Sequence, residues 1–249
     1  MLLDNKNAVI YGAGGSIGGA VAKEFAWEGA RVFLARRTRD PLEAVAADIS
    51  SAGGSAEVAV LDALDEEAVD EHARAMVSEA GSIDVSFNLI TRGDVQGIPL
   101  IEMATDDLLH AVVNGLRSNF ITTRAAARHM VDQGSGVILV LDSGSANGSP
   151  MMGSTGPADA TTDILVRNLA AEIGPRGVRV VGIWTAGLPE TFSKEKLAAV
   201  DSRFQDEAAF QGLIESLDQM RMTRRSPRLK EVAAITGTFV NVTSGTFSS

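Results

Sequence analysis

A run of small residues, Gly12-Ala13-Gly14-Gly15-Ser16-Ile17-Gly18-Gly19, directly follows the apolar stretch Ala8-Val9-Ile10-Tyr11 and opens a segment with helical spacing. Residues of this kind in this place can hold a pyrophosphate. Glycine lets the backbone turn tightly and lets a phosphate approach with no Cβ in the way. The exposed N–H groups and the dipole of a helix N-terminus then favour negative charge. Gly12, Gly14, Gly15, Ser16, Ile17 and Gly18 are therefore the candidate phosphate contacts. A glycine-rich turn alone can simply reverse the chain; the strand-turn-helix setting is what points to a nucleotide.

A second group sits after the next apolar run, Arg31-Val32-Phe33-Leu34-Ala35. Dinucleotide folds that prefer NAD place an acid here to bind the ribose hydroxyls. This chain has Arg36 and Arg37 instead, with Arg39 close by. Guanidinium groups pair well with phosphate. The functional reading is a 2′-phosphate clamp led by Arg36, hence NADP(H); the alternative is a solvated basic loop.

Other chemistries are excluded or unsupported. The chain has no Cys, which removes disulfides, thiolate nucleophiles and Cys-ligated metals. His72, His110 and His129 share no ligand spacing and read as surface or packing residues, so no metal is expected. There is no G-x-S-x-G elbow. A net charge of -10 argues against nucleic acid and gives no attraction to an anionic membrane. The start, Met1-Leu2-Leu3-Asp4-Asn5-Lys6, does not resemble a signal peptide, and no apolar stretch approaches the ~20 residues of a membrane span. A cytoplasmic protein acting on a small molecule is the expectation.

The elements that must position these residues alternate as a parallel α/β sheet requires. Strands are predicted at 8–11, 31–35, 56–61, 83–90, 137–141 and 178–184, with a last one at 239–242. Helices are predicted after the glycine turn and at 41–50, 66–80, 105–133 and 153–174. Residues 193–220 are polar and helical in character and could form a flap over a pocket, with the flap extending to about 221. At 249 residues, with no repeat or linker, one doubly wound Rossmann-type domain is expected, with its pocket at the C-terminal ends of the strands.

Taken together, these features resemble the short-chain dehydrogenase/reductase family over nearly the whole chain. The family's T-G-x-x-x-G-I-G turn is similar to Tyr11-Gly12-Ala13-Gly14-Gly15-Ser16-Ile17-Gly18. Asp62 falls where the family's acid contacts the adenine, and Asn88 in the strand leading into the N-N-A-G motif. Asn114 matches the helix asparagine that holds a water in the proton relay. Leu169-Ala170-Ala171-Glu172-Ile173-Gly174-Pro175-Arg176-Gly177-Val178-Arg179-Val180 resembles the segment after the catalytic helix and fixes the register. The resemblance implies an NADP(H)-binding carbonyl/alcohol oxidoreductase, assembled as a homo-oligomer, dimer or tetramer.

The departures fall at the chemistry. Leu89-Ile90-Thr91 follows Asn88 in place of N-A-G, adding bulk where the resemblance puts the nicotinamide ribose. The position of the family's catalytic Ser falls on Asp142, or on Ser143 with a one-residue shift; that of its Tyr is Thr155; that of its Lys is Asp159. Thr cannot replace a phenol as proton donor, because its hydroxyl ionises far above the ~10 of Tyr. Asp159 inverts the charge logic, since an anion raises the pKa of a neighbouring acid. Three readings follow. Asp142, Ser143, Thr155 and Asp159 can surround the nicotinamide, with one buried, protonated carboxyl as the general acid. The fold can carry a non-redox enzyme such as a cyclase, dehydratase or isomerase. It can also be a nucleotide-binding pseudoenzyme, with the two Asp residues serving only as caps or loop acids. Trp184 and Phe192 can line a substrate site or pack against the sheet edge.

Overall fold

The computed structural model describes residues 1–185, 187–199, 201–220, 226 and 240–241. One sheet runs through the chain in the order β3-β2-β1-β4-β5-β6-β7. Its strands are β1 (Asn7–Tyr11), β2 (Arg31–Arg36), β3 (Ser55–Val60), β4 (Val85–Asn88), β5 (Gly136–Asp142), β6 (Val178–Trp184) and the two-residue β7 (Val240–Asn241). Neighbours β3/β2, β2/β1, β1/β4, β4/β5 and β6/β7 pair in parallel. The helices are α1 (Ser16–Trp27), α2 (Arg39–Ser51), α3 (Glu66–Ala80), α4 (Thr105–Gln133), α5 (Thr155–Ile173), α6 (Lys194–Ala198) and α7 (Glu207–Met220). This is the doubly wound Rossmann-type sheet that the alternating pattern predicts. Strand order reverses where β1 meets β4, and there Tyr11 pairs in register with Asn88. In open α/β sheets the crevice outside such a switch point is the ligand site.

By its contacts the chain divides into two compact units interleaved in sequence. The first comprises Met1–Ile90, Arg117–Leu141 and Leu165–Gly182; the second comprises Thr91–Leu116, Asp142–Ile164 and Ile183–Ser249. The first unit holds the main core. Val9, Tyr11, Phe33, Met76, Ile121, Met130, Ile138 and Val140 are all buried there. β1 and β4 are buried at every position, as expected for parallel strands covered on both faces, whose runs are continuously apolar rather than alternating.

Local chemistry sets the element ends. Asp65 caps α3 by accepting from the Ala68 N–H, and Gly81 ends it with φ 86°. The fourth strand is shorter than the predicted 83–90, because the Asn88 side chain takes the Ile90 N–H and ends the ladder. α5 starts at Thr155 rather than Gly153, which lies in the left-handed region with φ 51°. The helical character expected of 193–220 is present as α6 and α7, with a 3-10 turn at Ser202–Gln205. Of the closing strand predicted at 239–242, residues 240 and 241 are strand, while 239 and 242 lie outside the described residues. Among the described residues no helix is long and apolar enough to cross a membrane.

Candidate active site

The candidate nucleotide-binding residues lie in the first unit. Gly12 takes φ 86°, and a Cβ there would sit 2.5 Å from the Leu89 carbonyl oxygen. A Cβ on Gly18 would lie 2.3 Å from the Gly12 carbonyl oxygen. Only glycine permits this turn to fold so closely on α1. Gly15 is the extended N-cap of α1, without a side-chain cap, and the first turn carries no acid. Its N–H groups and positive dipole end therefore suit an anion. The cradle that a Cβ would fill is the observation that fits a pyrophosphate. Gly14, Gly15, Ser16 and Ile17 line its start, with Ser16 exposed and Ile17 half-buried.

The arginines after β2 separate into two roles. The Arg36 guanidinium lies over the turn, with Nη1 2.7 Å from where a Gly14 Cβ would be. Among the described residues it has no carboxylate partner. Arg37 is exposed and faces Asp62 at 4.0 Å. The other Asp62 oxygen accepts the Leu64 N–H at 3.0 Å, which shapes the turn into α3. Asn88 is committed internally: its Nδ2 donates to Asn119 Oδ1 at 2.6 Å and its Oδ1 accepts the Ile90 N–H at 3.0 Å. Asn88 thus fixes the end of β4 through both atoms of its amide. Two other titratable groups in this unit are inert. Burial, with a smaller contribution from Asp70, pushes the Tyr11 phenol well above its usual range. Burial lowers His72 to about 4, and its ring meets Tyr11 and Phe33 edge-on.

The acid–base candidates all lie in the second unit. Asp142 ends β5 and is buried. Its Oδ1 accepts the Gly144 N–H at 3.0 Å, an Asx-type turn that Gly144 completes with φ 72°. Its Oδ2 is buried with no hydrogen-bond partner. Burial, then the charges of Asp159 and Asp163, push this carboxyl up to about 9; the Gly144 N–H and Arg92 act the other way and are outweighed. A carboxylic acid that keeps its proton at neutral pH, with one oxygen uncommitted, can donate to a carbonyl oxygen.

Asp159 on α5 is fully buried. It accepts from Arg92 Nη1 at 2.7 Å, Ser143 Oγ at 2.5 Å and the Ser145 N–H at 2.8 Å. Ser143 and Ser145 share a hydroxyl–hydroxyl bond of 2.7 Å. Thr155 is also buried, and its Oγ1 accepts from Gln96 Nε2 at 2.8 Å. Asn114 bonds the His110 ring at 2.9 Å and donates to the Arg92 carbonyl oxygen at 3.5 Å. Trp184 donates its indole N–H to Asp163 at 3.0 Å and lies beside Gly144, so it supports the centre from β6. The structure thus brings together Asp142, Ser143 and Asp159, and ties Thr155 and Asn114 to the segment 91–97.

Arg92, Asp94 and Gln96 are the residues that the sequence reading passed over. Arg92 also grips Asp94 at 2.7 Å. The legible signal was Gly115, inside α4. Glycine costs about 1 kcal/mol in a helix interior, and here a Cβ would meet the Arg92 side chain at 2.6 Å.

Comparison with known proteins agrees with this architecture. A family profile described as "Enoyl-(Acyl carrier protein) reductase" matches residues 12–241. L-rhamnose 1-dehydrogenase (NAD(P)(+)) of Azotobacter vinelandii is 30% identical over 209 residues, covering 82% of this chain and 81% of that protein. The chain belongs to the short-chain dehydrogenase/reductase family. A second family relative, 7alpha-hydroxysteroid dehydrogenase of Escherichia coli K12, is 32% identical over 182 residues, 73% of this chain and 70% of that one. Among solved structures, NAD+-bound xylitol dehydrogenase superposes with a TM-score of 0.85 over 97% of this chain and 99% of its own, at 23% identity, a likeness of fold. The relatives carry the names of dehydrogenases and reductases, and this family member is an oxidoreductase of that kind.

Proposed function

We propose that this protein is an NADP(H)-dependent oxidoreductase that interconverts a carbonyl and an alcohol, with Asp142 in the role of general acid and base. The observation that carries the reading is the buried Asp142 carboxyl, whose Oδ2 has no hydrogen-bond partner among the described residues and whose burial pushes it up to about 9. When bound, the cofactor supplies or accepts the hydride. Gly12, Gly14, Gly15, Ser16, Ile17 and Gly18 would hold its pyrophosphate, Asp62 its adenine end, and Arg36, with Arg37 beside it, a 2′-phosphate. In reduction, Asp142 gives its proton to the carbonyl oxygen; in oxidation it takes the hydroxyl proton back. Ser143 and Asp159 orient the end of β5, Thr155 offers a hydroxyl already held by Gln96, and Asn114 supports the Arg92 backbone.

The preference for NADP(H) is supported by the Arg36 guanidinium over the glycine turn, and by one structural neighbour titled as a complex with NADP, 26% identical with a TM-score of 0.65 over 76% of this chain and 85% of its own. The segment 193–220 is proposed as the flap; Asp201 in it packs against Gly97. A second copy of the chain is the proposed partner for the exposed stripe Leu109, Val113, Leu116 and Phe120 on α4, whose 4-3-4 spacing keeps it on one helix face.

The test is a titration of the purified protein with NADPH and NADH, repeated on Arg36→Ala. Selective loss of NADPH affinity in the variant is expected. Equal loss for both cofactors would sink the clamp. Loss of ketone reduction in Asp142→Asn, with NADPH affinity retained, is the companion result for the acid.

A further inference from the structure

The two α5 positions where the family resemblance calls for Tyr and Lys are both met by side chains from one segment, 91–97. Arg92 reaches Asp159, and Gln96 reaches Thr155. The segment is fastened by backbone as well. Ser154 N–H donates to Val95 O at 3.2 Å, Val95 N–H to Ser154 Oγ at 2.9 Å, and Gly97 N–H to Met151 O at 2.8 Å. Gly115 clears the space that the Arg92 stem occupies. Residues 92, 115 and 159 therefore form one unit although they are distant in sequence.

We propose that Arg92 is a positioning residue that sets the charge balance of this centre: its guanidinium, 2.7 Å from the fully buried Asp159 and carried on a stem seated over Gly115, is the counter-charge for the acids gathered around Asp142. This rests on the reading of Asp142 as the acid. The groups facing Asp142 are Asp159 and Asp163 from α5 and Arg92 from the 91–97 segment; Asp94 faces Arg92. Arg92 is the cation among them. Burial works against its charge, but Asp94 and Asp159 more than offset that and hold the guanidinium above its usual range. Two ionised carboxyls cannot face each other in a buried site unless a cation neutralises one of them. The cation that α5 lacks at position 159 is supplied from position 92, with the signs of the pair exchanged.

The experiment compares wild type with Arg92→Lys, Arg92→Gln and Arg92→Gln/Asp159→Asn, by thermal melting from pH 5 to 8 and by the pH profile of ketone reduction. Removing the cation makes the folded protein hold about one further proton, so the Tm of Arg92→Gln falls more steeply with rising pH than that of wild type. Arg92→Lys stays near wild type, and adding Asp159→Asn to Arg92→Gln restores the wild-type slope. The basic limb of the rate profile moves down in Arg92→Gln, since a protonated Asp159 no longer raises Asp142 and that loss outweighs the loss of Arg92. A uniform Tm loss at every pH, or no rescue by Asp159→Asn, overturns the proposal. If Arg92→Gln does not fold, folding of the double variant is the same rescue, and its failure to fold overturns the coupling. Should Asp142 not be the acid, Asp142→Asn keeps its activity while the melting slopes still report the Arg92–Asp159 coupling.

Discussion

Asp142→Asn is the substitution whose effect on stability reads the buried acid most directly. Asn has the same shape, its Oδ1 can still accept the Gly144 N–H, and its Nδ2 stands where the protonated oxygen was. In wild type, the folded carboxyl holds its proton up to about 9, whereas an Asp freely in water releases it near 3.8. Between these limits the folded state binds more protons than the unfolded chain, so wild-type stability falls as pH rises. The contribution is fully present below the unfolded value and is gone once pH passes the folded one. Within the window the slope approaches ~1.4 kcal/mol per pH unit. The amide of the variant has no proton to hold, so the variant gains on wild type by that amount for each unit. For a chain of this size ~1 kcal/mol shifts Tm by roughly 2–4 °C, so the Tm difference should widen by roughly 3–6 °C per pH unit. Differential scanning fluorimetry of both proteins from pH 5 to 8 measures it. Parallel Tm–pH curves would refute the claim that Asp142 is buried protonated, and with it the proposed acid.

Gly18→Ala places a methyl 2.3 Å from the Gly12 backbone oxygen. It should destabilise by about 3 kcal/mol, since backbone cannot yield as a side chain can, and should abolish binding of both NADPH and NADH in the same titration. Gly115→Ala should favour the helix by about 1 kcal/mol on propensity. Because it displaces Arg92, it should nevertheless reproduce the steeper Tm–pH slope of Arg92→Gln; a simple gain in Tm at all pH values would contradict that geometry. His72→Leu should flatten the acid limb. Burial holds His72 to about 4, so wild-type stability is complete above the unfolded ~6.5 and is lost as pH falls toward 4. Melting between pH 4 and 6.5 separates this from Asp142, whose effect has the opposite sign.

The family kinship of the nucleotide half was legible because the constraints there are local. A glycine turn after a buried strand needs only its own backbone and the N-terminus of α1, so Gly12 to Gly18 could be placed from consecutive residues. The same holds for α3, where Asp65 and Gly81 mark the two ends, and for the arginines that follow β2. Element order then dictated a parallel sheet, since runs such as 7–11 and 85–88, apolar or small apart from their end residues, can be covered on both faces only by intervening helices. The residue types at 142, 155 and 159 could be read from the sequence, but their surroundings could not. Whether a carboxyl is charged depends on what surrounds it in three dimensions. Asp159 reads in sequence as an anion where the resemblance puts a lysine, and the fold gives it a guanidinium from a segment 67 residues away. Asn88, which the resemblance placed at the cofactor, has its side chain tied to Asn119 and Ile90, bonds that no local pattern in the sequence announces. Gly115 carried the hint of Arg92, but a helix glycine says only that something approaches closely. The tertiary structure alone decided what that was, because burial and ion pairing are set by groups that the chain brings together only once it is folded.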